Sequence, residues 1–365
     1  MPPERRAARR DALLALLPRQ GLDGLVVTHL PNVRYLTGFT GSSGLAVLLR
    51  EETIFVSDFR YRTQAESEVG DVARIEITPT DRWERVRQLL GEYAGVGAVG
   101  FESQTVTVEE ASSLAKGNDR RVAFRATKGL VEQLRASKDP DEVEAIRQAA
   151  HLAHEALDAT LETVRAGQRE REVAAVLEGE LRRRGSEWHP FPTIVASGPR
   201  SALPHARTAD REIVRGDLLL LDFGAQVDGY CADITRTVVV GRAPDERQRT
   251  IYELVRAAQL AARERIRSGM TGKDADALAR SVIEARGFGD AFGHSLGHGL
   301  GLEVHEGPRL SALNLEPLPE AAVVTIEPGV YVAGWGGVRI EDDVLLRAGG
   351  AELLSRGDTQ LRALT

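Results

Sequence analysis

The sequence predicts an α/β domain over residues 1–131, followed by an α+β domain over residues 132–365. The length of 365 residues exceeds that of one typical domain. Short apolar runs alternate with helical patterns in the first third of the chain, whereas the later part carries long helices and strand pairs. A charged turn and a proline, in SKDPDEVEAI, then mark the start of a new helix near the boundary.

The first domain is predicted from its alternation of elements. Leucine spacing predicts a first helix over residues 5–17, and the alternative of a signal peptide is disfavoured because the apolar part is too short. Apolar runs predict strands at 24–28, 45–50, 53–58 and 96–102. Helical patterns predict helices near 61–68 and 83–93.

The second domain is predicted to begin with two helices, at 140–164 and 170–184, the first capped by Asp139 with Pro140 at its first position. Residues 213–241 predict a β-hairpin around Asp228-Gly229, which is a strong turn signal. Further helices are predicted at 245–267 and 274–286, and further strands at 321–332, 337–346 and 351–355.

Composition excludes several classes of partner. The net charge of -7 carries no basic excess, which disfavours nucleic acid. The single cysteine, Cys231, rules out a disulfide within the chain and favours a reducing compartment, so we expect a cytoplasmic protein. No apolar run approaches the roughly 20 residues that span a bilayer. Cys231 has no histidine near it in sequence, so we interpret it as a small buried thiol.

Four acidic residues lie at or near strand ends. Asp222 ends the run LLLLD, and a turn at 227–229 would place it almost opposite Asp233 on one face of the hairpin. Two carboxylates at close range repel, and a metal ion between them would remove that cost. Glu327 closes the strand AAVVTI, and Glu341 lies with Arg339 on the polar face of GVRIEDDV. Each acid alone is more often a solvated strand end.

Three of the eight histidines lie in GHSLGHGLGLEVHE, residues 293–306. Its four glycines disfavour a helix, so His294 and His298 are predicted on a strand and loop where the backbone approaches another group closely. His305 is predicted on a strand, and His205 lies in a separate loop. Four carboxylates balance two divalent cations, with one histidine as neutral ligand. Such a donor set suits a two-metal hydrolytic site.

In their order, four motifs resemble those of the pita-bread metallopeptidases: LLLLDFGAQVDGYCADITRT, HSLGHGLGLEVHE, TIEPGVY and GVRIEDDV. That family includes prolidases (Xaa-Pro dipeptidases), aminopeptidases P, methionine aminopeptidases and creatinases. PNVRYLTGFTGSSG and DFRY also resemble a creatinase-type N-terminal domain. The resemblance implies a creatinase-like α/β domain followed by an α+β pita-bread catalytic domain.

The resemblance also implies roles for individual residues. Asp222 would bind one metal, Asp233 and Glu341 would bridge both, and His298 and Glu327 would complete the second. Glu327 could also move the proton of the attacking water.

Four other catalytic-domain residues match the family's substrate-side and supporting positions. His205 and His305 would contact substrate and steady the oxyanion, His294 would be a third substrate-side histidine, and Arg339 would orient the carboxylates. Candidates in the first domain for reaching the substrate terminus are His29, Arg34, Arg60 and Tyr61.

The resemblance implies a metallo-exopeptidase that cuts the Xaa-Pro bond at a peptide N-terminus. An Xaa-Pro dipeptidase is favoured because the chain is short and carries one additional domain, and aminopeptidase P is the alternative. Methionine aminopeptidases usually lack this N-terminal domain, and creatinase uses no metal. A non-catalytic binding protein would have lost ligands, and none is lost. We expect two divalent ions, Mn²⁺ before Co²⁺ or Zn²⁺, small proline-containing peptides as substrates, and a homodimer.

Overall fold

The structure, a computed structural model, describes residues 3–115 and 122–365. The chain divides into two compact units, Met1–Arg135 and Ala136–Thr365. The domain bounds 1–131 and 132–365 stay a prediction, because a domain is defined by its ability to fold alone. In the described residues, no helix has both the length and the apolar character needed to cross a membrane.

The first unit is built on a mixed six-stranded sheet in the order β4-β3-β2-β1-β5-β6. Its strands are β1 Gly24–Val27, β2 Leu45–Leu49, β3 Thr53–Ser57, β4 Arg74–Ile77, β5 Ala98–Glu102 and β6 Ala123–Thr127. Its helices are α1 Pro3–Leu16, α2 Leu30–Thr37, α3 Arg62–Val69, α4 Arg82–Gly91, α5 Val108–Ala115 and α6 Glu132–Arg135. The central strands β1, β2 and β3 are buried along their whole length, as apolar runs predict.

Sequence reasoning did not predict the two edge strands or the helices α2 and α5. The edge strands β4 and β6 are mostly exposed or half-buried and carry charged residues, so they lack the apolar run that marks a buried strand. Helix α2 has only eight residues and carries a proline in its first turn. Short or half-exposed elements such as these depend on their neighbours in the sheet more than on their own sequence.

The second unit contains two larger sheets, in the orders β19-β11-β8-β7 and β13-β12-β14-β17-β18. Two short ladders, β9 with β10 and β15 with β16, accompany them. The helices are α7 Pro140–Leu161, α8 Glu170–Arg183, α9 Glu246–Arg265 and α10 Gly272–Glu284. The first strands are β7 Ile194–Ser197, β8 Leu218–Phe223, β9 Gln226–Val227, β10 Tyr230–Cys231, β11 Ile234–Val240 and β12 Gly297–Gly299. The remaining strands are β13 Glu306–Leu310, β14 Val323–Ile326, β15 Gly329–Val332, β16 Gly336–Arg339, β17 Asp342–Arg347, β18 Gly350–Leu353 and β19 Ala363–Leu364.

Each of the two sheets forms its largest core with a different pair of helices. Leu219 and Leu221 of β8 share a core with α7 and α8, whereas Val324 of β14 and Val344 of β17 share one with α9 and α10. Burial of these apolar side chains is the main source of stability for such layers, at roughly 25 cal/mol per Å² of apolar surface. The packed sheets therefore form a rigid support for the polar residues at the strand ends.

The predicted hairpin is present, and its turn has the geometry that the sequence requires. Asp228 and Gly229 have φ angles of 49° and 75°, and two positive φ angles are the requirement of a type I′ turn. Asp222 pairs directly with Thr235, so Asp233 lies two residues from the paired position. Residues two apart on a strand share a face, which places both carboxylates on the same side, diagonally rather than directly opposite.

Candidate metal centre

Five predicted ligand residues come from five separate segments of the second unit. Asp222 lies in β8, Asp233 directly precedes β11, and Glu341 lies between β16 and β17. His298 is the middle residue of β12, and Glu327 directly follows β14. Because β12 pairs with β14, and β8 pairs with β11, the sheet ladders themselves bring these segments together.

The ligand atoms lie close to one another. His298 Nε2 is 3.4 Å from Glu327 Oε1 and 3.7 Å from Asp233 Oδ2. Three ligand atoms, one from each of Asp233, His298 and Glu341, lie within 4.8 Å of one another. The side chains are thus arranged around a common point, as residues that bind one or two metal ions must be.

The electrostatics of the cluster are unfavourable without a cation. Burial, reinforced by the neighbouring carboxylates, raises the pKa of Asp233 and of Glu341 well above the usual range. Burial likewise raises the pKa of Glu327 to about 8, although Arg339 opposes the rise. Burial and the nearby His305 lower the pKa of His298 to about 3, so this imidazole stays neutral. Several acids and one neutral histidine therefore face one another.

Two observations fit this donor set to divalent metal ions. Asp233 Oδ1 is buried and has no hydrogen-bond partner among residues 3–115 and 122–365, so one carboxylate oxygen is left for a ligand. His298 Nδ1 lies 3.1 Å from the carbonyl oxygen of Gly299. A carbonyl can only accept, so Nδ1 carries the proton and the lone pair of Nε2 points to the carboxylates. Carboxylate oxygens with one imidazole suit Mn²⁺, Co²⁺, Fe²⁺ or Zn²⁺.

Two threonines and one arginine orient the acidic side chains. Thr235 Oγ1 donates to Glu341 Oε2 at 2.6 Å, and Thr325 Oγ1 donates to Glu327 Oε1 at 3.2 Å. Arg339 donates to Asp222 and, through Nε, to Thr235 Oγ1 at 3.0 Å. Sequence reasoning found Arg339 but missed both threonines. Their signal was available, because each threonine lies two residues from a predicted ligand and so shares its strand face.

The remaining predicted histidines lie around the cluster. The ring of His305 packs 4.2 Å, centroid to centroid, from that of His298. His205 is exposed and follows Pro204, whose carbonyl accepts from Arg339 Nη1 at 3.2 Å. Burial is the main cause of the lowered pKa of His305, the nearby Arg309 lowers it further, and Asp222 opposes the change.

His294 is engaged by the protein at both ring nitrogens. Nδ1 lies 2.8 Å from the carbonyl oxygen of Ser295 and must donate to it, so Nε2 accepts from the hydroxyl of Tyr331, 2.9 Å away. That hydroxyl accepts in turn from Arg339 Nη1 at 2.8 Å. Tyr331 thus links His294 to Arg339, a role that sequence reasoning did not predict.

Two local predictions in this region were wrong. His305 lies in a bend before β13 rather than on a strand. Ile340 and Glu341 connect β16 to β17 and do not continue one strand, since β16 pairs with β15 whereas β17 pairs with β14 and β18. Arg339 and Glu341, 3% and 2% exposed, form a buried polar face rather than a solvated one. The chain changes sheets between Arg339 and Asp342, and Glu341 lies in this connection.

Cys231 is buried, and burial together with the charge of Glu306 raises the pKa of its thiol to about 12, so it is a poor nucleophile.

The first-domain candidates for reaching the substrate terminus lie in the first unit. Arg60 pairs with Asp58 at 2.8 Å, Tyr61 OH lies 2.6 Å from Ser42 Oγ, and His29 N–H donates to Glu102. Their contribution to substrate binding, with that of Arg34, stays a prediction.

Comparison with known families accounts for both units. Residues 144–348 match the model of metallopeptidase family M24, and residues 9–137 match that of the creatinase/prolidase N-terminal domain. The chain belongs to metallopeptidase family M24. It is therefore a metallopeptidase, with a creatinase-type N-terminal domain and a catalytic domain of the pita-bread fold, and these predictions are confirmed.

Proteins with similar sequences or structures include Xaa-Pro dipeptidases and an X-Pro aminopeptidase. An Xaa-Pro dipeptidase of Pyrococcus furiosus is 38% identical over 355 residues, which cover 97% of this chain and 99% of the relative. An Xaa-Pro dipeptidase structure from Bacillus anthracis superposes with a TM-score of 0.95 at 38% identity, covering 98% and 100% of the two chains. An X-Pro aminopeptidase structure from Thermotoga maritima gives 0.90 at 36% identity, covering 97% and 99%.

Proposed function

We propose that this M24 metallopeptidase uses two divalent ions to hydrolyse the Xaa-Pro bond at a peptide N-terminus, most specifically in Xaa-Pro dipeptides. The observation that carries the proposal is the cluster of Asp233, His298 and Glu341, in which Asp233 Oδ1 is buried and has no partner within the described chain. The relatives named Xaa-Pro dipeptidase span nearly the whole chain, which supports the choice of substrate.

Each ligand residue has a proposed role. Asp222 would bind one ion, Asp233 and Glu341 would bind both, and His298 and Glu327 would complete the second. Four carboxylates offset the charge of two divalent ions. Bound ions would remove the repulsion between these carboxylates, which comes second to burial in raising the pKa of Asp233 and Glu341. We propose Mn²⁺ as the resident metal, with Co²⁺ and Zn²⁺ as alternatives that the same donor set accommodates.

When bound, two such ions supply a water of lowered pKa and polarise the scissile carbonyl. Around them, Glu327 is the residue proposed to take up and return a proton, because its carboxylate, held by Thr325 Oγ1 at 3.2 Å, belongs to the cluster where the water would be bound. His205 and His305 would donate hydrogen bonds to the developing oxyanion. His294 supports Tyr331 and Arg339 in this arrangement, since both of its ring nitrogens bond within the protein.

Aminopeptidase P activity is the second candidate, and the similar structure named X-Pro aminopeptidase favours it. The two activities share the same chemistry and differ in what lies beyond proline. A dipeptidase must bind a free proline carboxylate, whereas an aminopeptidase must leave room for more residues. We further propose a cytoplasmic homodimer that acts on small proline-containing peptides and binds neither nucleic acid nor membranes.

The test compares two substrates with and without metal. Protein dialysed against a chelator receives Mn²⁺ or buffer, and mass spectrometry follows products from Ala-Pro and from Ala-Pro-Ala-Ala. Metal-dependent cleavage of Ala-Pro alone supports the dipeptidase, and cleavage mainly of the longer peptide supports aminopeptidase P. Glu327→Gln should abolish either activity, and Glu316→Gln, which alters an exposed acid, is the matched control. No cleavage with any divalent ion would overturn the proposal.

A further inference from the structure

Arg236 is a buried charge on the strand that supports the metal centre. It lies in β11 next to Thr235 and is 4% exposed. Neighbouring strand residues point to opposite faces. Thr235 directs its hydroxyl to the carboxylate of Glu341, so Arg236 lies on the other face of the strand. It is therefore behind the centre and does not touch the ligand atoms.

The guanidinium of Arg236 binds the backbone of the segments that carry the centre. Nη1 donates to the carbonyl oxygen of Glu341 at 2.6 Å and to that of Thr235 at 3.0 Å. Nη2 donates to Asp342 Oδ1 at 2.7 Å, and Nε donates to the carbonyl oxygen of Asp358 at 3.0 Å. One side chain thus joins β11, the Glu341 connection and the C-terminal segment.

Asp342, the charge partner, is itself fully buried and well supplied with donors. Gln259 Nε2 donates to Oδ2 at 2.6 Å, and Ser355 Oγ donates to Oδ1 at 3.1 Å. A buried ion pair is costly unless such additional hydrogen bonds satisfy it. A buried pair with this many bonds holds its position firmly, which suits it to fix an adjacent residue.

Glu341 needs this support because of its place in the chain. It lies between two strands of different sheets, so neither ladder fixes it. Its N–H donates to the carbonyl oxygen of Thr235 at 3.1 Å, and its own carbonyl accepts from Arg236. Both backbone groups of Glu341 are therefore held by two successive residues of β11.

We propose that Arg236 is a positioning residue for the metal centre, which fixes the backbone of Glu341 so that its carboxylate can bridge two ions. The inference rests on the proposed dinuclear centre. A bridging carboxylate must be held within about 0.5 Å of its working position, and residues that orient ligands typically change metal affinity 10–100-fold when altered. Arg236 does not contact the substrate or the ions.

The test measures metal binding rather than catalysis. Metal-free wild type, Arg236→Met and Arg236→Lys are titrated with Mn²⁺ by calorimetry, which gives the number of ions and each Kd. Urea unfolding of the metal-free proteins measures stability separately. Arg200→Met is the matched control, because Arg200 pairs at 3.1 Å with the fully buried Glu170 and donates to the carbonyl oxygen of Arg207, neither of which is a proposed ligand. It should lose stability and keep its affinity for Mn²⁺.

We expect wild type to bind two ions and Arg236→Met to bind at least one of them 10–100-fold more weakly. Arg236→Lys, which keeps the charge but lacks the forked donors, should lie between the two. An unchanged Kd in either folded variant would overturn the inference. If Arg236→Met does not fold, Arg236→Lys alone decides. Failure of wild type to bind two ions would instead overturn the proposed dinuclear centre, so the two failures are distinct.

Discussion

Buried carboxylates occur in both units, but their surroundings differ. In the first unit, Glu102 accepts hydrogen bonds from the N–H groups of Thr28 and His29 at 2.6 and 2.7 Å, and from Asn32 Nδ2 at 2.6 Å. In the second unit, Asp233 faces other acids, and its Oδ1 has no partner in the part of the chain that the structure describes. Glu102 is 8% exposed and Asp233 is 5% exposed, so burial does not distinguish them.

The difference teaches that the donors around a buried acid, rather than burial, indicate what the acid does. A carboxylate supplied with N–H donors stabilises the fold as an anion. A carboxylate that lacks donors and faces other carboxylates is destabilising until a cation arrives. Exchanging each acid for its amide should therefore have opposite effects on the free energy of unfolding of the metal-free protein: a decrease for Glu102 and an increase for Asp233.

The largest effect is expected on activity. Asp233→Asn should lower the hydrolysis of Ala-Pro more than about 100-fold at saturating Mn²⁺, because an amide supplies one weak neutral ligand atom where a bridging ligand needs two oxygens. Initial rates per folded molecule measure the effect. Glu102→Gln is the control and should keep a specific activity close to wild type. An Asp233→Asn enzyme with ordinary activity would contradict the ligand assignment.

The next-largest effect concerns His154. It is a buried base that stays neutral in the folded protein, and so it extends the comparison beyond the two buried acids. Burial, with the charge of Arg236, lowers its pKa to about 4, and its Nε2 has no partner within residues 3–115 and 122–365. The unfolded chain takes up this proton near pH 6.5, before the folded chain does. Stability should therefore fall as the pH drops from about 6.5 to about 4, by about 3 kcal/mol in total.

Urea unfolding of metal-free wild type and His154→Gln, measured at pH 7 and pH 5, isolates this contribution. The wild type should lose about 2 kcal/mol more than the variant between the two pH values, since each pH unit contributes about 1.4 kcal/mol. Other acids titrate in both proteins and cancel in the difference. Equal losses would show that His154 does not titrate with a lowered pKa.

The first-unit carboxylate should behave as a structural anion. Glu102→Gln should lower the free energy of unfolding by about 2 kcal/mol. Both carboxylate oxygens accept from N–H groups, so the amide NH₂ of glutamine would face a donor instead of an acceptor. Urea unfolding at pH 7 without metal gives the value. Glu109→Gln, which alters an exposed acid of α5, is the control and should change stability little. No loss in Glu102→Gln would weaken the contrast between the two regions.

The smallest effect has the opposite sign. In the metal-free protein, Asp233→Asn should raise the free energy of unfolding by about 1 kcal/mol, because it removes one of the charges that burial and the neighbouring acids disfavour. The measurement is urea unfolding at pH 7 with a chelator. Saturating Mn²⁺ should reverse the order, since only wild type gains full binding energy. A loss like that of Glu102→Gln would mean that Asp233 is a structural anion too.

Much of the fold and most of the centre could be predicted from local sequence. The Asp228-Gly229 turn, the Asp139 cap of α7 and the buried central strands follow from backbone preferences and side-chain periodicity, which neighbouring residues set. The proposed ligands could be named because each lies within a family motif, and the four acids lie at or near strand ends. Edge strands β4 and β6 escaped prediction because their half-exposed faces carry no apolar run.

The sequence by itself determined the order of the two domains, the hairpin and the residues that supply the acids and imidazoles. Only the tertiary structure decided how those groups are held. Thr235 and Glu341 are 106 positions apart, and Arg236 reaches the same connection from the opposite strand face. Tyr331 reaches Nε2 of His294 only because β15 brings it there. Such contacts depend on packing between distant segments, whereas periodicity reports only on a residue's near neighbours.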